Sequence, residues 1–154
     1  MKVNQSRSAS GLVSQVRSLL SGQQDMIANA ANLAALLFHE LEDVNWVGFY
    51  FLKDGQLIVG PFKGLPACVS IPLGRGVCGT AAATQQIQCV RDVHEFDGHI
   101  ACDVNSRSEI VIPLIRNGKV LGVLDVDSPS PGRFNEDDQV LLSEIAGIYL
   151  TSID

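Results

Sequence analysis

The chain predicts an α+β fold: a central antiparallel sheet flanked by helices at its two ends. Three observations carry this. Asp54-Gly55 and Asn117-Gly118 each join two apolar, β-rich runs, the signature of a tight hairpin. Helix-period stripes stand near the N-terminus and at the C-terminus, free to cover a sheet face. Between them there is room for at most one strand–helix–strand crossover, which excludes a doubly wound parallel sheet.

Each element follows from its own spacing. Leu12, Val13, Val16, Leu19 and Leu20 recur at helical intervals, and Gly22 ends that run. Met26, Ile27, Ala30, Leu33, Ala34, Leu37, Phe38 and Leu41 form a second, wider stripe. NWVGFYFL then reads as a strand, turned by Asp54-Gly55 into LIVGPF. CVSIPL is a third strand leading into GRGVCGTAA, whose alanines favour a helix beginning at the glycines. IQCVRDV is a short strand, and HEFDGHIACDVNSR is irregular. EIVIPLI and KVLGVLDVDS pair through the Asn117-Gly118 turn. Asn135 caps a last helix with Glu136, Asp137 and Asp138 in its first turn, where acids suit the helix dipole.

Composition bounds the function. The 154 residues suffice for one domain with a substantial core, and the expectation is a single domain over 1–154. A formal charge of −6 with scattered Lys and Arg argues against a nucleic-acid partner. The longest apolar runs, such as VGFYFL, are far too short to span a membrane, and the N-terminus lacks a signal-peptide core. The expected setting is the cytoplasm, with Cys68, Cys78, Cys89 and Cys102 initially reduced. No two of the four stand in C-x-x-C spacing, so each is either a small core residue or a working thiol.

Gly74, Gly76 and Gly79 spell G-x-G-x-x-G, with Asp92 downstream as a candidate ribose-binding acid. Without a Rossmann framework the motif reads as a tight corner into a helix. Free N–H groups there, at Gly76 to Gly79, suit an anion such as a substrate carboxylate.

Two stretches carry candidate chemistry. The loop DGHIACDVNSRSE places His99, Cys102, Asp103 and Glu109 together; it also reads as a plain surface loop with one half-buried cysteine. In VLDVDS, alternation puts Val123, Asp125 and Asp127 on one face, with the two carboxylates about 6–7 Å apart along the strand. Like charges that close, if buried, raise the pKa of one member and make it a proton donor near neutrality. Asp127 alone would suit a turn, whereas Asp125 sits inside an apolar strand and needs a partner or a task. Cys89, His94, His99 and Cys102 form C-x4-H-x4-H-x2-C, with zinc-ligand residue types but the spacing of no common zinc module.

GRGVCGTA, DVHEFDGHIACD and GVLDVDS followed by GRF together resemble the free methionine-(R)-sulfoxide reductase family, a catalytic branch of the GAF-domain fold. The resemblance runs from NWVGFY to the final helix and implies a six-stranded antiparallel sheet and a homodimer. It implies Cys102 as nucleophile, Cys68 as the cysteine that resolves it, and Cys78 as an alternate resolver lining the same pocket. Glu109, Asp125 and Asp127 match the acidic cluster that binds substrate and supplies protons; Trp46 and Tyr50 match an aromatic wall. Cys89 falls between motifs and matches no role. The implied chemistry is attack of the Cys102 thiolate on the sulfoxide sulfur, a sulfenic acid, a disulfide with Cys68, and reduction by thioredoxin. No bound cofactor or metal is expected. The rival reading is a non-catalytic GAF module that senses a small metabolite.

Overall fold

The computed structural model describes residues 5–98 and 105–154, with side chains from Ala9 onward. In chain order the elements are α1 (Gln5–Leu20), α2 (Met26–Glu40), β1 (Trp46–Lys53), β2 (Gln56–Gly64), β3 (Ser70–Pro72), α3 (Gly76–Thr84), β4 (Gln88–Val90), β5 (Ser108–Arg116), β6 (Lys119–Ser128) and α4 (Glu136–Ser152). A short 3₁₀ turn, Val93–Glu95, follows β4. The six strands form one sheet in the order β3-β2-β1-β6-β5-β4, every neighbouring pair antiparallel.

Both expected hairpins form as their turn residues require. Asp54 and Gly55 (φ 52° and 77°) and Asn117 and Gly118 (φ 53° and 75°) all sit in the left-handed region, the two-residue geometry that matches strand twist. Counting back from Lys53↔Gln56, the β1–β2 register holds to Tyr50↔Val59 and then slips, so that Gly48 faces Phe62. The extra residue lies at Gly60-Pro61, where proline could not serve a regular ladder.

The sheet divides two cores. On one face α1, α2 and α4 cover Val47, Phe49, Ile110, Leu124 and Val126, with Leu33, Leu37 and Tyr149 packed against them. The Tyr149 hydroxyl donates to the Met26 carbonyl at 2.9 Å, tying α4 to the start of α2. The other face carries α3, whose Val77 and Ala81 pack with Leu57, Ile71, Val111 and Val123 of the sheet. Central β1 is covered on both sides, which is why its sequence is a near-continuous apolar run. At α4 the cap is reciprocal: Asn135 Oδ1 accepts from the Asp138 amide at 3.0 Å, and Asp138 Oδ2 accepts from the Asn135 amide at 2.9 Å.

The two sheet edges are shorter than their apolar runs suggest. Only Ser70–Pro72 and Gln88–Val90 pair, and brief edge strands limit edge-to-edge association. β4 reaches only as far as Val111 on β5, so Pro113 lies beyond it, where a missing N–H is tolerated. Asp92 is consumed locally. Its carboxylate accepts from the His94 amide at 3.1 Å and from Arg107 at 3.2 Å, and these contacts hold its pKa below the usual range. It anchors a turn and has no part in the glycine corner.

Candidate functional site

Strand register assembles the site. β6 lies between β1 and β5, and three rows of residues cross the α3-facing side of the sheet. The first row is Trp46, Asp127, Glu109; the second is Gly48, Asp125, Val111; the third is Tyr50, Val123, Pro113. Partners within a row stand roughly 5 Å apart and successive rows roughly 7 Å, so three carboxylates share one patch. All three are buried, Asp125 only 4% exposed.

The aromatic wall is held from several sides. The Trp46 indole N–H donates to the Leu65 carbonyl at 3.1 Å. Its ring stacks on Tyr50 (centroids 5.8 Å, planes 28° apart) and on Phe62 (5.2 Å, 17°). Gly48 lets the indole lie across the strand: a β-carbon there would come 2.6 Å from the ring. Gly64 does the same beneath the indole, where a β-carbon would also stand 2.6 Å from the ring.

The glycine corner seats α3. Gly79 has no side chain because a β-carbon would lie 2.5 Å from the Pro72 carbonyl oxygen, the closest point of helix and strand. The Gly74 and Arg75 amides donate to the Gly79 and Pro72 carbonyls, at 2.9 and 3.1 Å. That leaves the first-turn amides of α3 for an anion, with Arg75 as an N-cap whose side chain makes no capping bond. Arg75 and Gly76 line the pocket with Trp46, Tyr50, Cys78 and the three acids. Gly79 stands one turn further in, and its role is the close approach to Pro72.

Seating α3 carries Cys78 into the acidic patch. Its thiol donates to Glu109 Oε1 at 3.7 Å. Cys78 Sγ and one carboxylate oxygen each of Glu109 and Asp125 lie within 4.8 Å of one another. Burial, then the charges of Asp127 and Glu109, hold the Asp125 carboxyl well above the usual carboxylate range. Burial, then Asp125, Glu109 and Asp127, likewise push the Cys78 thiol up, and burial with Asp125 raises Tyr50. A buried acid that keeps its proton near neutrality can donate it to a developing oxyanion; ionised neighbours favour a cationic ligand group.

The cysteines separate. Cys68, just before β3, is disulfide-bonded, whereas Cys78 and Cys89 carry free thiols. Cys89 pairs with Ile110 and so points to the helical face, away from the acids; its Sγ lies 3.7 Å from the Phe134 carbonyl. Cys102, His99 and Asp103 lie outside the described residues, and with them half of the C-x4-H-x4-H-x2-C set weighed as a zinc alternative. Among the described residues the donors that do converge are Cys78, Glu109 and Asp125, a different set.

Sequence reasoning missed Arg75 in the pocket lining, and Phe62 and Leu65 as the groups that hold Trp46 in place. The Gly60-Pro61 pair was the one available signal for Phe62, since the bulge there turns Phe62 toward Gly48.

Comparison with known proteins agrees with this architecture. The GAF domain family profile matches residues 27–154. The chain is 53% identical over 127 residues to the free methionine-R-sulfoxide reductase of Escherichia coli strain K12, spanning 82% of this chain and 77% of that one. The fRMsr of Staphylococcus aureus in complex with substrate superposes with a TM-score of 0.91 at 47% identity, over 95% of each chain. The free methionine-R-sulfoxide reductase of Neisseria meningitidis in complex with its substrate superposes with a TM-score of 0.94 at 39% identity, over 99% of this chain and 92% of that one.

Proposed function

Since the chain belongs to the free methionine-R-sulfoxide reductase family within the GAF fold, we propose a role for each residue of its pocket in that reaction. The protein is an oxidoreductase that reduces free methionine-R-sulfoxide to methionine by cysteine chemistry. The observation that carries the residue assignment is the row of buried acids beside the Trp46–Tyr50 stack, with Asp125 biased to keep its proton.

Trp46 and Tyr50 pack the S-methyl group, where sulfur–aromatic contact is favourable. Glu109 and Asp127 hold the ammonium. Arg75 and the α3 amides from Gly76 onward hold the carboxylate. The Cys102 thiolate attacks the sulfoxide sulfur while Asp125 protonates the oxygen. The substrate sulfur gains two electrons and leaves as methionine, and Cys102, two electrons poorer, becomes a sulfenic acid. The Cys68 thiol then displaces water from that sulfenic acid to form a Cys68–Cys102 disulfide. The disulfide state of Cys68, with Cys78 and Cys89 both free, supports that pairing. Thioredoxin, a dithiol, reduces it by exchange. The working unit is a single domain over 1–154, a homodimer, in the cytoplasm; among the described residues no helix is long and apolar enough to cross a membrane.

Thioredoxin-coupled NADPH oxidation tests this. Free methionine-R-sulfoxide supports turnover, the S epimer does not, and Cys102→Ser is inert. Full turnover by Cys102→Ser would remove the nucleophile from its role. Saturable binding of the sulfoxide with no turnover by the native chain would favour the sensor reading.

A further inference from the structure

The pocket floor combines features that the reductase reaction alone does not require of one another. Cys78 Sγ and carboxylate oxygens of Glu109 and Asp125 lie within 4.8 Å of one another, and all three residues are buried. The three come from α3, β5 and β6, elements packed around the pocket rather than neighbours in sequence. A second observation is independent of the clustering. Asp125, 4% exposed, lines the pocket, and its Oδ1 has no hydrogen-bond partner among the described residues. A buried acceptor without a donor costs free energy that a cation would recover.

We propose that this floor is a binding site for a thiophilic divalent cation of the Zn2+ class, ligated by Cys78, Glu109 and Asp125, which excludes substrate while bound. One thiolate and two carboxylates suit Zn2+ or Cd2+ and not Mg2+ or Ca2+, which take oxygen ligands only. Closing onto an ion needs a small contraction, because bonds near 2.0–2.3 Å place ligand atoms roughly 3.3–3.8 Å apart. The Cys78 S–H bond breaks as the metal–sulfur bond forms, Asp125 gives up its carboxyl proton as its oxygen takes the metal, and both protons go to buffer; no oxidant or reductant takes part. The ion would sit where the substrate's ammonium meets the acids, so the two compete. That last point rests on the functional reading above, whereas the site itself does not.

Cd2+ is the probe, because thiolate ligation gives an ultraviolet charge-transfer band. The full chain carrying Cys68→Ser/Cys89→Ser/Cys102→Ser, which keeps only Cys78, is titrated with Cd2+ alone, without thiol reductant, so that the Cys68 and Cys102 thiols cannot take the ion themselves. The expected result is one equivalent bound with that band. Adding Cys78→Ser removes the band, and adding Asp125→Asn weakens binding by more than about tenfold, as loss of a ligand should. A band that survives the added Cys78→Ser change, or no band in the variant that keeps Cys78 while its thermal transition remains cooperative, overturns the site. Free methionine-R-sulfoxide should displace the bound Cd2+. Tight Cd2+ binding that the sulfoxide leaves undisturbed overturns the exclusion. Absence of reductase turnover with the Cys78-dependent band intact would instead count against the catalytic assignment.

Discussion

Gly48 on β1 stands directly across from Asp125 on β6, and the absence of a side chain at 48 is what lets the Trp46 indole lie over that position. A methyl group there would press on the indole carbons at 2.6 Å and on the Phe62 side chain behind them. One glycine thus sets both the tilt of the aromatic wall and the space above the most buried acid.

Gly48→Ala should therefore cost roughly 1–3 kcal/mol of stability, the usual penalty for forcing an extra carbon into a packed core. Trp46 is the one tryptophan in the chain, so its fluorescence reports the displacement directly. Urea denaturation followed by tryptophan emission checks both. An unshifted native spectrum with unchanged stability would show that the ring has room the geometry denies it.

Asp125→Asn should stabilise the protein while removing activity. The native carboxyl titrates above its unfolded value, so over that window the folded chain binds more protons than the unfolded one and stability falls as pH rises. Asn has no proton to lose. The stability gained over the native chain should vanish below about pH 3.9, where the unfolded acid is protonated too, and should grow toward neutrality. Thermal melts across pH measure it. Turnover should fall by about 10²–10⁴, the range for loss of a general acid.

Cys68→Ser should stop after one equivalent of methionine per chain even though Cys78 remains. Burial among carboxylates keeps the Cys78 thiol protonated, and attack on a sulfenic acid needs the thiolate. Single-turnover assays with trapping of the sulfenic acid on Cys102 read this out. Sustained turnover would make Cys78 the resolving thiol.

Asn135→Ala removes one side of the reciprocal cap on α4, far from the acids. It should cost about 1 kcal/mol in denaturant titration, the typical value for an N-cap. Turnover at a temperature where the variant is fully folded should match the native chain.

Local rules made much of this molecule legible before any coordinates. The two left-handed turns, the cap at Asn135 and the common face of Asp125 and Asp127 each depend on residues adjacent or nearly so, where φ preference and the two-residue pleat decide the outcome. The family motifs likewise pointed to Trp46, Tyr50, Cys78 and Glu109.

Which residues become neighbours was settled elsewhere. Alternation assigns a side chain to a face but does not say which strand lies beside it. The rows joining Trp46 to Asp127 and Asp127 to Glu109 exist because β1 and β5 both pair with β6 in one register, and the bulge at Gly60-Pro61 shifts Phe62 into contact with Trp46. Cys78 meets Glu109 across 31 positions because Gly79 lets α3 settle against Pro72. The reluctance of Asp125 to ionise is likewise a property of the assembled core: an isolated strand leaves its carboxyl in water, and only burial beside two other acids changes the free energy of its charge.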